Sequence, residues 1–477
     1  MNFLAKEHRS FLLFITLVAL LRLLIAPYIG LGVDEAHYLL YAVHLDWSYF
    51  DHPPLVGWTQ YIFTSIFGLN EFGARVSAIL IGFFTSLFLY QLIYNIDNNA
   101  NRTFIAVLAL YASLIFNALF LMLMPDTLLF LFIIPIIFAT INLQNDSSKL
   151  KNWLILGILL GLAGLSKYTA ILFVVPIVLY FIIKKRYELF YSPKILITAI
   201  TAFTIILPVI YWNIEHDWIS FTYQSSHVVG SNHIHWGGFF KSLATQLGAY
   251  NPFLVPLAFY GLFKAFKSKN DRLFLTALFG LTLILFFTYA ALYKTALPHW
   301  SALFYMLFIP IGTYYMFDIS KKYLKFAIVF GLFISAIAYA ELVFKFIPLP
   351  DYKSIHRDIY GWNIIMKKAN AVITDDKKEA LGVTNWTLAS RAMFYNHKYK
   401  SKIYLIDKRQ DQFDLWEDKH KKGKDLIIIN THFFHKNVAK YMKCDKVYPI
   451  TSFDITLNKH KINSIDLVMC KNFQGIK

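Results

Sequence analysis

The sequence is poor in acidic residues and very poor in cysteine. Its 477 residues include 29 Asp and Glu against 46 Lys and Arg, and only two cysteines, Cys444 and Cys470. Two cysteines in a long chain are a weak indication of a disulfide, so a bridge and two free thiols both stay open. The apolar segments hold almost no acid, with Glu341 as the clear exception. This scarcity disfavours a secondary transporter, which usually carries ionisable groups near the middle of the membrane.

Apolar residues, in contrast, are abundant. The sequence is 57% hydrophobic and 18% aromatic, and so apolar a chain would aggregate in water, which indicates a membrane protein. Its apolar segments mostly approach the roughly 20 residues that a spanning helix needs. The first could be a signal peptide, but Arg22 lies inside it and no small-residue cleavage site precedes Gly30. The eleven segments cover 11–26, 72–94, 104–121, 128–143, 153–165, 168–183, 195–212, 240–263, 273–292, 300–316 and 326–344.

Positive charge is divided unequally between the loops that join these segments. One set of loops carries clusters of Lys and Arg, whereas the alternate loops at 29–71, around Asp126 and at 213–239 contain neither. Lys and Arg accumulate on the cytoplasmic side of membrane proteins, so the N-terminus is predicted to be cytoplasmic and the loop at 29–71 to face outward. An odd number of spans also places everything after Pro348 outside.

The composition changes at residue 349. Lysines become dense, and strand-like stretches alternate with a helical stretch at 385–395. The strand-like stretches are 402–406, 426–430, 455–458 and 465–469. This pattern predicts a transmembrane domain over 1–348 and a soluble α/β domain over 349–477, which at about 125 residues has an ordinary domain size.

The loop at 30–71 has the most unusual composition in the chain. Its stretch at 32–54 holds four acidic residues and three histidines but no Lys or Arg: Asp34, Glu35, Asp46, Asp51, His37, His44 and His52. Carboxylates close to a bilayer are energetically unfavourable and usually have a function there. We therefore interpret this stretch as a catalytic loop. Asp34 could instead cap a helix predicted over 35–44. Capping does not explain why Asp51 and Asp126 recur on the same face.

Two short motifs add candidate side chains on that face. Asp51 and His52 precede two prolines that hold the backbone extended. They could also ligate a divalent metal, although two ligands fall short of a site. Lys167, followed by Tyr168, lies on a face almost bare of cations and suits a lipid phosphate. A lysine that only snorkels would act as an interfacial anchor instead.

A later outer loop repeats this pattern with Lys294 and His299. The outer face thus offers carboxylates for proton transfer, cations for a phosphate and aromatic rings for a sugar or lipid. Neighbouring spans could hold a long apolar tail. The combination indicates transfer of a group from a lipid phosphate to an acceptor hydroxyl. We expect membrane lipids around the chain, no nucleic-acid partner and no certain cofactor, with a divalent metal left open.

The same motifs resemble a known family. They are similar to the bacterial membrane glycosyltransferases of the GT-C fold, in the group related to dolichyl-phosphate-mannose protein mannosyltransferases and lipid A aminoarabinose transferases. The resemblance implies an α-helical polytopic membrane protein with about 11 or more spans and a C-terminal soluble α/β domain. The motifs are DEAHYLLYAVHLDWSYFDHPP at 34–54, MPDT at 124–127, GLAGLSKYTAILFVVP at 161–176 and PVIYWNIEHDWISF at 208–221.

The resemblance also implies an activity. It is an inverting transfer from a polyprenyl-phosphate sugar to lipid A, another glycan or a protein, at the periplasmic face of the bacterial inner membrane. By motif, Asp34 and Asp126 match carboxylates of the first and second outer loops. Asp51 matches the family's acidic residue before proline, and Lys167 the lysine near the donor phosphate.

From the motifs and the outer-face chemistry we predict Asp34 and Asp126 as catalytic. The predicted substrate-binding residues are Glu35, Asp51, His52, Lys167, Tyr168, Lys294 and His299. Many lipid A transferases have Lys at the position of His52, so the phosphate contact there and the acceptor class stay open. The alternative function is a multi-span transporter or flippase of lipid-linked sugars.

Overall fold

Helices precede strands along the chain. The computed structural model describes residues 3–228, 233–294, 296–350, 353–417 and 421–477. The α-helices are α1 (Arg9–Ile25), α2 (Val33–Val43), α3 (Leu55–Phe67), α4 (Glu71–Tyr94), α5 (Ala100–Tyr111), α6 (Leu114–Leu119), α7 (Pro125–Asn145), α8 (Leu150–Ser166), α9 (Val174–Ile183), α10 (Glu188–Tyr191), α11 (Ile195–Glu215), α12 (Ile219–Val228), α13 (Trp236–Tyr250), α14 (Val255–Phe266), α15 (Asp271–Tyr293), α16 (Ala302–Met316), α17 (Lys321–Phe344), α18 (His356–Ile359), α19 (Trp362–Ala371), α20 (Trp386–Asn396), α21 (Gln412–Trp416) and α22 (Val438–Tyr441). The strands are β1 (Glu379–Val383), β2 (Ile403–Leu405), β3 (Asp425–Thr431), β4 (Met442–Lys443), β5 (Lys446–Leu457), β6 (His460–Lys471) and β7 (Gly475–Ile476).

Six of the described helices are long and apolar enough to cross a membrane. They include α4, α7, α11, α15 and α17, together with α1 and its flanking turns, and each coincides with a predicted segment. Shorter apolar helices cover Ala100–Tyr111, Leu150–Ser166, Tyr168–Ile183 and Val255–Phe266. The predicted polytopic helical chain with a C-terminal sheet-containing part is confirmed.

Two predicted segments are wrong as single helices. The segment at 240–263 consists of α13 and α14, because Asn251 has a left-handed φ of 74° and Pro252 cannot donate a helical hydrogen bond. The segment at 104–121 consists of α5 and α6. Between them, the Ser113 hydroxyl donates to the carbonyl of Tyr250, at 3.0 Å.

The chain forms two compact units, and the acidic loop contributes to both. The first, here called the helical unit, comprises Met1–Leu24, Asp46–Thr59 and Arg75–Ala338. The second, here called the mixed unit, comprises Ile25–Leu45, Gln60–Ala74 and Tyr339–Lys477. Residues 25–45 and 60–74 therefore share a compact unit with the whole segment at 349–477 that was predicted to be soluble.

Glycines allow close helix packing in the helical unit. A Cβ on Gly312 of α16 would lie 1.8 Å from the carbonyl oxygen of Leu257 in α14, so no larger residue fits there. Gly157 of α8 similarly approaches α11, where a Cβ would lie 2.8 Å from the carbonyl oxygen of Thr198. Small residues at such crossings are typical of helices that pack within membranes.

The mixed unit is built on a five-stranded sheet with the order β2-β1-β3-β6-β5. β1 is parallel to β2 and β3, whereas β6 is antiparallel to β3 and β5. The predicted helix at 385–395 is α20, and α2 packs against it. Leu31, Leu39 and Leu40 are almost fully buried in the same apolar core as this sheet. Cys444 and Cys470 form a disulfide with a Cα–Cα distance of 5.5 Å.

Candidate functional site

A lysine and a carboxylate from the predicted site form an ion pair in the helical unit. Lys167 Nζ lies 2.6 Å from Asp126 Oδ1. The Lys167 side chain is 12% exposed and the Asp126 side chain is 5% exposed. Because both side chains are largely buried, the pair is shielded from water. Neither charge can therefore be removed without leaving the other buried and uncompensated.

Local structure fixes both partners. α7 begins at Pro125, whose missing N–H costs nothing at a helix start, and Asp126 follows at the positive end of the helix dipole. The Thr127 hydroxyl accepts from the Met124 N–H at 3.3 Å and donates to the Leu119 carbonyl at 3.0 Å, which holds the turn. Lys167 lies where α8 ends, with an extended backbone.

Two predicted histidines add to the field at Asp126. His52 and His299 both interact electrostatically with its carboxylate. His299 lies in a short 3-10 helix (Pro298–Ser301) before α16. The Tyr250 hydroxyl donates to the Pro298 carbonyl at 2.6 Å and thereby anchors that turn. The structure therefore gathers three predicted residues, Lys167, His52 and His299, around the buried carboxylate of a fourth, Asp126.

Asp51 and His52 lie side by side in the loop at 46–54. His52 Nε2 is 3.9 Å from Asp51 Oδ2. Among the residues that the structure describes, no group of three or more His, Cys, Asp or Glu side chains could hold a metal ion. These two side chains alone do not make a metal site.

The loop at 46–54 is held by residues that the sequence analysis did not identify. The Trp212 indole N–H donates to Asp46 Oδ2 at 2.8 Å. The Ser220 hydroxyl donates to the Tyr49 carbonyl at 2.8 Å, and the Gln224 amide donates to the Asp51 carbonyl at 2.5 Å. Ser220 and Gln224 are four residues apart and so share one face of α12, a polar spacing that could have indicated this role.

Tyr168 links the ion pair to the same loop. It follows Lys167 directly, and its hydroxyl lies 3.4 Å from the Ser48 hydroxyl. A polar network thus runs from the residue after Lys167 to the backbone before Asp51.

An apolar groove begins at Tyr168. The cavity has a volume of about 730 Å³, and Tyr168, Thr169 and Gln224 line it together with many apolar side chains. Its α8 wall extends from Trp153 to Gly164, which corresponds to about 16 Å of helix. A long hydrocarbon chain fits this lining, and Tyr168, one of the lining residues, follows Lys167 directly in the chain.

Asp34 and Glu35 lie on α2 in the mixed unit. Glu35 is buried, and its Oε2 accepts from the N–H of Gly32 at 3.1 Å. Glu35 therefore satisfies the helix start, the capping role that we considered for Asp34. Asp34 is the second residue of the helix and is half-buried. The predicted catalytic role of Asp34 and substrate contact of Glu35 stay predictions, as does the role of Lys294, the residue that follows α15.

Comparison with known proteins connects this arrangement to a family. The sequence profile of the dolichyl-phosphate-mannose-protein mannosyltransferase family matches residues 51–212. The lipid A galacturonosyltransferase RgtD of Rhizobium johnstonii is 23% identical over 388 residues, which are 78% of this chain and 79% of that protein. Crystal structures of ArnT from Cupriavidus metallidurans, apo and bound to undecaprenyl phosphate, match with TM-scores of 0.65 and 0.66 at 14% identity. They cover 96% of this chain and 98% of theirs.

The chain is a GT-C-fold membrane glycosyltransferase. The predicted fold and enzyme class are confirmed, and the profile match and the similarity to RgtD agree with the predicted family. In this glycosyltransferase, the profile match at 51–212 includes Asp51, Asp126 and Lys167, and it ends at Trp212. Asp34, Lys294 and His299 lie outside the matched range, so their roles rest on the chemistry of their surroundings.

Proposed function

We propose that this glycosyltransferase transfers a sugar from a polyprenyl-phosphate donor to a hydroxyl group of lipid A, another glycan or a protein. One observation carries the proposal: Lys167, which forms a buried ion pair with Asp126, is followed directly by Tyr168, which lines a long apolar groove. A polyprenyl phosphate has the matching chemistry, a phosphate at one end of a long hydrocarbon chain. One ArnT structure was obtained with undecaprenyl phosphate, a lipid of this class.

The reaction we propose is a single inverting displacement. The acceptor hydroxyl gives its proton to Asp34 while its oxygen attacks the anomeric carbon from the face opposite the phosphate. The bond from the anomeric carbon to the phosphate oxygen breaks, and both of its electrons leave with the polyprenyl phosphate. Lys167 stabilises the negative charge that develops there, because a fixed cation needs little reorganisation at the moment of reaction.

The remaining predicted residues support this step. His52 and His299 add positive charge near the phosphate when they are protonated, and Lys294 does so permanently. Asp126 holds the Lys167 ammonium in place and Tyr168 continues the polar network to the loop at 46–54. Asp51 and Glu35 would contact the sugar or the acceptor.

We also propose that the site faces the periplasm. The loops that carry Asp34, Asp51 and Asp126 lack Lys and Arg, as outward loops do. The Cys444–Cys470 disulfide belongs to an oxidising compartment, which supports the same side for the mixed unit. The enclosing membrane is then the bacterial inner membrane.

The direct test is an assay of donor consumption by the purified protein in nanodiscs. Polyprenyl-phosphate-linked sugars of different identity are offered with lipid A, and both substrates are followed by mass spectrometry. We expect loss of one donor and gain of one sugar mass on the acceptor. Movement of the intact lipid-linked sugar across a liposome bilayer, without consumption, would favour the flippase instead.

A further inference from the structure

The turn that carries His299 is bonded to one face of α13 in the helical unit. Three polar side chains of this helix are spaced by four residues and therefore lie on the same face. Each of them bonds to the segment at 296–305, which contains the short 3-10 helix of His299. The proposed reaction involves none of the three directly. They are Ser242, Gln246 and Tyr250.

Ser242 and Gln246 bond to opposite ends of the turn. The Ser242 hydroxyl donates to the Ala296 carbonyl at 3.3 Å and accepts from the Ala296 N–H at 3.0 Å. Gln246 Oε1 accepts from the hydroxyls of Ser301 and Tyr305, at 3.2 and 2.9 Å. The turn is therefore bonded to α13 both before and after the histidine.

Packing alone does not fix the position of this turn. A cavity of about 250 Å³ borders it, and Leu297, Trp300 and Ser301 are among the lining residues. Because the interior is not close-packed here, the turn has space into which it could move. Ser242 and Gln246 line the same cavity. Their hydrogen bonds are therefore what resists such a movement.

α13 is itself held at both ends. The His235 N–H, just before the helix, donates to the Leu292 carbonyl of α15 at 2.8 Å. At the other end, the Ser113 hydroxyl donates to the Tyr250 carbonyl at 3.0 Å. The Tyr250 ring also stacks on the Tyr305 ring with a centroid distance of 4.0 Å. This helix can thus serve as a fixed support for the turn.

Gln246 keeps the Ser301 hydroxyl bonded to α13. This hydroxyl lies 3.2 Å from Gln246 Oε1 and 3.3 Å from the Pro298 carbonyl, and it has only one proton to donate. Without Gln246 the proton would go to the Pro298 carbonyl, which already accepts from Tyr250. A bond between the turn and α13 would then be replaced by a bond within the turn, and the turn could move into the cavity.

We propose that Gln246 is a positioning residue that keeps His299 beside Asp126. It acts through the hydroxyls of Ser301 and Tyr305 and does not touch a substrate. His299 interacts electrostatically with the Asp126 carboxylate, so a shift of the turn would change the field at the site. The consequence for the donor phosphate rests on the proposed function, whereas the position of His299 does not.

Donor kinetics of Gln246→Leu, in the full-length protein in nanodiscs, test the proposal. Leu is similar in size but accepts no hydrogen bond, so KM for the donor should rise about fivefold, the effect of roughly one net hydrogen bond. KM for the acceptor should not change. A loss of folded protein would instead lower kcat and leave both KM values as they are. Thr245→Val is the matched control, because the exposed Thr245 hydroxyl donates to the Lys241 carbonyl of α13 itself. An unchanged donor KM in Gln246→Leu would overturn the proposal.

His299→Gln shows whether Gln246 acts through the histidine. Alone, it should raise KM for the donor at least as much as Gln246→Leu does. The double variant Gln246→Leu/His299→Gln should then be no worse than His299→Gln, because both changes remove the same contribution. Effects that multiply in the double variant would mean that Gln246 acts independently, and would also overturn the proposal.

A measurement without turnover separates this proposal from the proposed function. In protein labelled with ¹³C-histidine, the ring NMR signal of His299 is identified by its absence from His299→Gln. This signal should shift in Gln246→Leu and stay in Thr245→Val, and a signal that stays in both would contradict the proposal. If melting curves show that Gln246→Leu folds poorly, Tyr305→Phe removes one of the two hydroxyls and should also shift the signal.

Undecaprenyl phosphate is the probe for the phosphate contact. Added to the wild-type protein, it should shift the same His299 signal. If it does not, while Gln246→Leu still does, Gln246 positions His299 and the phosphate contact assigned to His299 in the proposed function is wrong.

Discussion

The two halves of the acidic loop hold their carboxylates in different ways. Asp34 lies on a regular helix, α2, that is buried almost throughout its length in the mixed unit. Asp51 lies in an irregular stretch of the helical unit whose backbone carbonyls accept hydrogen bonds from Ser220 and Gln224. One half is therefore positioned by packing of a helix, and the other by individual side-chain hydrogen bonds from a distant part of the chain.

This difference predicts how each half tolerates substitution. A packed helix keeps its geometry when one surface side chain changes. A loss of activity after such a substitution therefore shows that the side chain takes part in the reaction. A loop held by individual hydrogen bonds moves when one of them is lost. A loss of activity after such a substitution therefore shows that the loop must be correctly positioned. The following experiments test that distinction, from the largest expected effect to the smallest.

Asp34→Asn should cause the largest loss of activity. The amide keeps the size and polarity of the carboxylate but cannot accept the acceptor's proton, so turnover should fall by about 100-fold or more. Turnover and thermal stability are measured on the same purified sample. Glu35→Gln is the comparison, since it weakens the hydrogen bond to Gly32 and should cost up to about 1 kcal/mol of stability. Its loss of turnover should be far smaller, because the substrate contact that we propose for Glu35 involves no proton transfer and Gln can still make it. Equal losses of turnover would contradict the distinction.

Lys167→Ala should have the next largest effect. Loss of a charged hydrogen bond to the donor phosphate should lower kcat/KM for the donor by about 10- to 100-fold, and Lys167→Arg should recover part of it. Because Lys167→Ala also leaves Asp126 buried without its partner, stability should fall by about 3–5 kcal/mol. The double variant Asp126→Asn/Lys167→Met should restore stability but not donor use. Wild-type donor titration by Lys167→Ala would make Lys167 an interfacial anchor.

Ser220→Ala should have a moderate effect. The variant loses one hydrogen bond to the Tyr49 carbonyl, worth about 1 kcal/mol, and kcat/KM should fall by roughly fivefold as the loop at 46–54 shifts. Thr222→Ala on the same helix is the control, because within the described residues the Thr222 hydroxyl donates to the Trp218 carbonyl of its own segment and not to the loop at 46–54. If the two variants behave alike, hydrogen bonds from α12 do not position the loop.

Asp411→Asn should change stability with little effect on turnover. Burial raises the pKa of Asp411 to about 6, above its unfolded value of about 3.9. The folded state therefore binds the proton more tightly, and this group lowers stability as the pH rises from about 4 to 6. Asn keeps the cap of α21 and does not titrate. Above pH 6 the variant should be more stable by about 1–3 kcal/mol, and near pH 4 the difference should vanish, which thermal unfolding across this range would show.

The sequence predicted what depends on composition and periodicity. The long apolar helices and α20 could be predicted because the spacing of apolar residues along a helix is visible in the local sequence. The Asp126–Lys167 contact was not predicted, although each residue was, because a pairing across 41 positions is set by how α7 and α8 pack. The polar spacing of Ser220 and Gln224 indicates one polar face of α12, but their partners are backbone carbonyls, which no side-chain pattern identifies. The contact of Trp212 with the Asp46 carboxylate spans 166 positions and depends on tertiary packing. The break at Asn251-Pro252 was visible as a turn dipeptide inside an apolar run.

The mixed unit has a consequence for how this enzyme can be divided or recombined. Leu31, Leu39, Leu40 and Ala74 share an apolar core with the C-terminal sheet. A fragment that starts at residue 349 would expose that apolar surface to water and should aggregate or be insoluble when expressed alone. A chimera that exchanges only the C-terminal region with a relative would join two unmatched interfaces. The exchange therefore has to include 25–45 and 60–74 as well. These two short segments and the C-terminal region must be transferred together as one structural unit.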